Sequence, residues 1–95
     1  MEHVLFKSEE KKKSVDAAAV MRIIADKLEA GEIALSRGGE EVRLSIPETV
    51  TLELKVEEET SPGRSGVKKS LEIEIEWVEG QQGGPAEPSG EVSIS

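Results

Sequence analysis

The sequence predicts an α+β domain of two layers: one amphipathic helix packed on an antiparallel β-sheet of four to five strands, in the order β-α-β-β-β-β. Three observations carry this. A single stretch has a helical period of apolar residues, Ala17, Val20, Met21, Ile24 and Leu28 falling on one stripe. After Gly31 the period changes to two and stays there through four apolar-polar alternations. Each alternating segment has one apolar face, and one helix is on hand to cover that side, so the sheet's far side stays open to water.

Taken in order, Val4, Leu5 and Phe6 make a short candidate first strand. The helix is predicted over Ser14 to Ala30. Ser14 suits the N-cap, Asp16 places a negative charge in the first turn, and Gly31 supplies the left-handed residue that ends many helices. Ile33 and Leu35, then Val42, Leu44 and Ile46, alternate on either side of Arg37-Gly38-Gly39-Glu40, which predicts a hairpin closed by Pro47. Val50, Leu52, Leu54 and Val56 alternate with Thr51, Glu53, Lys55 and Glu57, and Leu71, Ile73, Ile75 and Trp77 with Glu72, Glu74 and Glu76. Ser61-Pro62-Gly63-Arg64-Ser65-Gly66 between them is turn chemistry, so these two strands form a second antiparallel hairpin. The expected domain is 1–79. Residues 80–95 form a flexible tail rich in Gly, Pro and Gln, with a short strand at 91–95 as the sharper alternative, Val92 and Ile94 adding to a sheet edge.

An N-terminal Phe6-Lys7-Ser8-Glu9, a helix ending Ile24-Ala25-Asp26-Lys27-Leu28-Glu29-Ala30-Gly31-Glu32-Ile33, and the strand Leu71-Glu72-Ile73-Glu74-Ile75-Glu76-Trp77 together resemble the amphi-Trp domain, a family named for an amphipathic strand ending in tryptophan. The resemblance covers residues 4–78 and leaves the tail from Gly80 outside. It implies a small archaeal or bacterial domain of this fold and no established reaction.

Composition narrows the chemistry. The 95 residues contain no cysteine, no tyrosine, one Phe, one Trp and one His, which excludes a disulfide framework, a zinc ribbon, a thiol nucleophile and a multi-histidine metal site. The chain is too short to enclose a cofactor and a substrate besides its own core, so neither an enzyme nor a cofactor is expected. No apolar run approaches the roughly 20 residues of a membrane span, and the N-terminus has no secretory pattern, so no membrane partner is expected and the default compartment is the cytoplasm. Glutamate is abundant while asparagine is absent, a thermophile-like choice of residues.

The net charge of −8 is segregated. Residues 32–59 and 71–79 are acidic. Lys11, Lys12 and Lys13, and Arg64, Lys68 and Lys69, make two basic loops that are candidates for polyanion contact. The outward positions Arg43, Ser45, Thr51, Glu53, Lys55, Glu72, Glu74 and Glu76 form a polar face, of which Glu53, Lys55, Glu72, Glu74 and Glu76 are the candidate protein-docking residues. Glu72, Glu74 and Glu76 stand about 6.5–7 Å apart along one strand, a straight row that cannot converge on a hard cation, and Lys55 is the cation expected to relieve it. Trp77 has the parity of the buried face and is the expected core anchor. The function these features predict is a non-enzymatic interaction module that binds another protein or a second copy of itself through a sheet edge or the polar face. Weak nucleic-acid or phosphate-backbone contact through 11–13 and 64–69 is the runner-up, opposed by the net charge and by the lack of surface aromatics for base stacking.

Overall fold

A computed structural model describes residues 1–80 and 90–95. The chain is α+β. It divides into two compact units, Met1–Pro47 and Glu48–Ser95, each built on one antiparallel hairpin.

The first unit contains α1 (Ser14–Ala30), β1 (Glu32–Arg37) and β2 (Glu40–Ser45). Lys13 holds the N-cap position with an extended backbone and no side-chain cap, and its carbonyl accepts from the Asp16 and Ala17 amides. Ser14, expected as the cap, is the first helical residue instead, so its hydroxyl has no capping role. At the other end Gly31 adopts φ 83°, and its amide donates to the carbonyls of Lys27 and Leu28, as the sequence predicted for a left-handed stop. α1 lies against β1, and Ala18, Ile24 and Leu28 are half-buried; Val20 and Met21 remain 41% exposed.

β1 and β2 pair in the register Ile33↔Leu44 and Leu35↔Val42, which gathers these four half-buried side chains on one face. The turn is two residues long, and Gly38 takes φ 60° at its first position, the requirement of a type II′ hairpin. On the opposite face Arg43 donates to Glu41 at 2.7 Å and to Glu32 at 3.3 Å. The Ile46 amide donates to the Gly31 carbonyl, tying the end of β2 to the end of the helix before Pro47.

The second unit is the hairpin of β3 (Thr51–Glu59) and β4 (Lys68–Glu76). In the connection Pro62 and Gly63 occupy the centre of a turn in which the Arg64 amide donates to the Ser61 carbonyl. Gly63 has φ 82°, as the third residue of a type II turn must. Both strands outrun their apolar alternation, because Lys68 and Lys69 pair with Glu59 and Glu58 and carry the ladder three residues further on β4.

The strands pair as two two-stranded sheets, β1-β2 and β3-β4, and pairing into the one sheet expected is not seen among the described residues. Two expectations are corrected. Val4–Phe6 forms no strand, for it has no period-two pattern and finds no ladder partner. Residues 91–95 form no strand either, and Val92 and Ile94 are 61% and 82% exposed. Most of the predicted linker, residues 81–89, lies outside the described residues. No described helix is long and apolar enough to cross a membrane. Among the described residues no side chain is fully buried, and the half-buried apolar groups include Phe6, Ala18, Ile24, Leu28, Ile33, Leu35, Val42, Leu44 and Ile46 in the first unit and Val50, Leu54, Ile75 and Trp77 in the second.

Candidate functional site

The charged candidates of the second unit are positioned by the β3–β4 register. Residues directly opposite in an antiparallel ladder share a face, so Thr51↔Glu76, Glu53↔Glu74 and Lys55↔Glu72 line one side and Leu52↔Ile75, Leu54↔Ile73 and Val56↔Leu71 the other. Lys55 does meet the acidic row. Its Nζ lies 2.7 Å from Glu57 and 3.5 Å from Glu72, both exposed pairs. The hydrogen bond to Glu57, then the charges of Glu57 and Glu72, hold the Lys55 ammonium above the ordinary lysine range, and the same contact holds the Glu57 carboxyl below its ordinary range.

At the other end of the row Lys55 acts on Glu74 only through its charge, against larger opposing effects. Glu53 arrives from β3 opposite Glu74, and carboxylate oxygens of Glu53, Glu74 and Glu76 all lie within 4.8 Å of one another. The row was expected to keep its carboxylates apart, yet Glu74 and Glu76 bring theirs together, and the third carboxylate comes from across the ladder. A register between the strands was the missing signal, since it alone says that Thr51 pairs with Glu76. The Glu74 carboxyl is pushed above the ordinary glutamate range, first by hydrogen bonding with the Glu76 carboxyl, then by the charge of Glu76 and partial desolvation. Chemically the cluster concentrates negative charge on an exposed face. Three one-oxygen ligands are half or less of the six to eight oxygens calcium takes.

The basic candidates are distributed between the units. Lys11, Lys12 and Lys13 lead into α1, and Lys12 lies 2.8 Å from Glu10, whose carboxyl that contact lowers. In the second unit Arg64 donates to the Glu59 carbonyl at 2.8 Å, Lys69 pairs with Glu58 at 2.8 Å, and Lys68 stands opposite Glu59. Interleaving with Glu57, Glu58 and Glu59 reduces the positive field these three offer a polyanion.

The feature that sequence reasoning missed is apolar. The face of β3–β4 assigned to a core is open: Leu52, Val56, Leu71 and Ile73 are 59%, 76%, 69% and 46% exposed. Trp77 follows β4 directly and shares the parity of Ile73 and Ile75. It is half-buried, as is Val50, and continuing the ladder register by one pair sets these two opposite each other. Within this sheet, among the described residues, the outer edges of β3 and of β4, nine residues each, have no strand beside them. A contiguous exposed apolar face beside unpaired backbone groups is an interaction feature.

A family model described as the Amphi-Trp domain matches residues 1–95, beyond the 4–78 over which the motifs were recognised and including the tail. No curated protein and no solved structure matches the chain.

Proposed function

The chain belongs to the Amphi-Trp domain family, and we propose that it is a small non-enzymatic interaction module whose binding element is an edge of its β-sheet structure. The observation that carries this reading is the β3–β4 ladder: two nine-residue strands, each with an unpaired edge in that sheet, beside an exposed apolar face. A two-stranded hairpin is marginally stable in water, and a third strand with a shared hydrophobic face is what makes such a sheet stable. A strand from another protein, or from a second copy, supplies main-chain hydrogen bonds at the edge and apolar contacts on one face. The polar residues Glu53, Lys55, Glu72, Glu74 and Glu76 then flank the contact and select partners by charge.

The single helix-covered sheet predicted from the sequence belongs to the same proposal, as do the cytoplasmic setting and the absence of a membrane partner. Either architecture, one sheet or two, leaves strand edges as the pairing element. Sedimentation velocity over a wide concentration range, together with affinity capture from source cells with and without nuclease, tests the reading. A protein partner retained after nuclease treatment, or reversible self-association, is the expected result. A strict monomer that recovers nucleic acid alone overturns it in favour of the basic residues.

A further inference from the structure

Resting on the reading that a sheet edge is the binding element, we infer that β3 pairs antiparallel with β3 of a second copy about a two-fold axis at Leu54, setting Glu53 of each chain opposite the partner's Lys55. A homodimeric antiparallel pair must centre on one residue that faces its own copy, so the alternatives can be enumerated.

The β4 edge is a poor choice. Centred on Ile73 it opposes Glu72 to the partner's Glu74, and centred on Ile75 it opposes Glu74 to the partner's Glu76. Centred on Leu71 it sets Ile73 against the partner's Lys69, and centred on Ser70 it gains Glu72 against the partner's Lys68 but sets Leu71 against the partner's Lys69. Like charges directly opposite destabilise a ladder, and a lysine opposite leucine or isoleucine wastes the apolar face.

On β3 one register satisfies both faces. Centred on Leu54, it pairs Leu52 with the partner's Val56 on the apolar side and Glu53 with the partner's Lys55 on the polar side, each twice by symmetry, and its one apolar mismatch, Val50 facing the partner's Glu58, falls just beyond the start of β3. Centring on Glu53 or Lys55 opposes a charge to itself. Centring on Val56 sets Leu54 against the partner's Glu58 and Glu53 against the partner's Glu59. Centring on Leu52 leaves Lys55 facing the partner's Thr49 and Val56 facing the partner's Glu48.

A second observation favours the same register. Glu53 faces Glu74 in its own chain, belongs to the cluster whose oxygens lie within 4.8 Å, and makes no ion pair among the described residues. The partner's Lys55 would bring a cation to a carboxylate cluster in which Glu53, Glu74 and Glu76 make no ion pair among the described residues. The product is a continuous sheet in the order β4-β3-β3-β4, with the exposed Leu52 and Val56 of each chain in direct cross-strand contact. Four strands meet the minimum that two do not.

Charge-swap mixing tests this on the full chain. Glu53→Lys opposes lysine to lysine twice in the dimer and is expected to weaken self-association about tenfold or more, although in the monomer it replaces a Glu–Glu pair by Lys–Glu and should not harm folding. Lys55→Glu opposes glutamate to glutamate and weakens self-association likewise. An equimolar mixture of the two variants makes both cross-pairs attractive again, so association returns as a heterodimer. Leu54→Cys, in a chain with no native cysteine, should oxidise to a disulfide dimer, because directly opposed Cα atoms at about 4.5–5.5 Å fit disulfide geometry. Val56→Cys should not, its copies lying roughly 13 Å apart along the strands. Self-association without recovery in the mixture and without the Leu54→Cys cross-link overturns this register and leaves the edge-binding reading standing. A strict monomer at all concentrations overturns self-pairing altogether, and the capture experiment then judges the broader reading on its own.

Discussion

Glu53 and Glu74 stand directly opposite each other in the β3–β4 ladder, like charges on one exposed face, with Glu76 completing the cluster. Two residues along, Lys55 stands opposite Glu72 and also reaches Glu57. The same face therefore holds a favourable pair and an unfavourable one, and their responses to pH are opposite in sign.

Glu74 is the unfavourable case. Its folded carboxyl holds its proton to higher pH than an unfolded glutamate does. Between the ordinary glutamate pKa and that raised value the folded state binds more protons, so this group's contribution falls as pH rises through the window. Glu57, lowered by Lys55, behaves conversely: its contribution is present above the ordinary pKa and is lost as pH falls through the lowered one. Glu74→Gln should therefore raise the urea midpoint at roughly pH 7 and change it little at roughly pH 3, where both states are protonated. A carboxyl-carbon NMR titration of Glu74 should show a midpoint above those of Glu57 and Glu10. A midpoint below them would contradict the cluster geometry.

At the start of α1, Lys13 occupies the N-cap position without a side-chain hydrogen bond, and its positive charge sits at the positive end of the helix dipole. Lys13→Ser places a hydroxyl oxygen where it can accept from a first-turn amide. The expected gain is about 0.5–1 kcal/mol in chemical denaturation. No gain would mean that solvent already satisfies those amides as well as a side chain does.

These positions also show what the sequence made legible. Gly31, the Gly38-Gly39 turn and the Pro62-Gly63 turn were readable because each is a local requirement, a positive φ that few other residues tolerate. The alternations of β3 and β4 were readable because side-chain direction has period two. Pairing between hairpins has no such local signature, so the division into β1-β2 and β3-β4 was invisible, as was the register that brings Glu53 to Glu74 and Glu76. The N-cap was misplaced by one residue because Ser14 has the right chemistry, whereas the cap is decided by which residue leaves the helical backbone, here Lys13 with ψ 147°. The openness of the Leu52 and Val56 face was hidden for a related reason. Apolar parity says which side seeks cover and is silent on whether the chain covers it.

Gly31 makes the local argument testable. A Cβ built there would meet only the Ile46 carbonyl oxygen, at an ordinary 3.7 Å, so crowding is not the difficulty. The difficulty is φ 83°, which an L side chain adopts at a cost of about 1–2 kcal/mol. Gly31→Ala should lower stability by about that much, and Gly31→Asn by less, since asparagine is the other residue found at left-handed helix stops. Equal losses for Ala and Asn would show that the backbone conformation is not what selects glycine.

Trp77 gives the chain its one indole, so its fluorescence reports on a single place. It lies one residue beyond β4, half-buried, where the extended register brings Val50 opposite. Removing a fully buried Trp costs about 3–5 kcal/mol, and a half-buried one forfeits less, so Trp77→Ala should cost about 1–2 kcal/mol. Acrylamide quenching of the folded protein should be intermediate between that of free tryptophan and that of an enclosed indole. Iodide should quench less than acrylamide, because Glu76 and Glu79 flank the ring in sequence and repel an anion. Val50→Ala should increase acrylamide quenching, since it trims the side chain across from the indole. Quenching unaffected by Val50→Ala would mean that the ladder pairing ends at Thr51↔Glu76 and that the indole takes its shelter elsewhere.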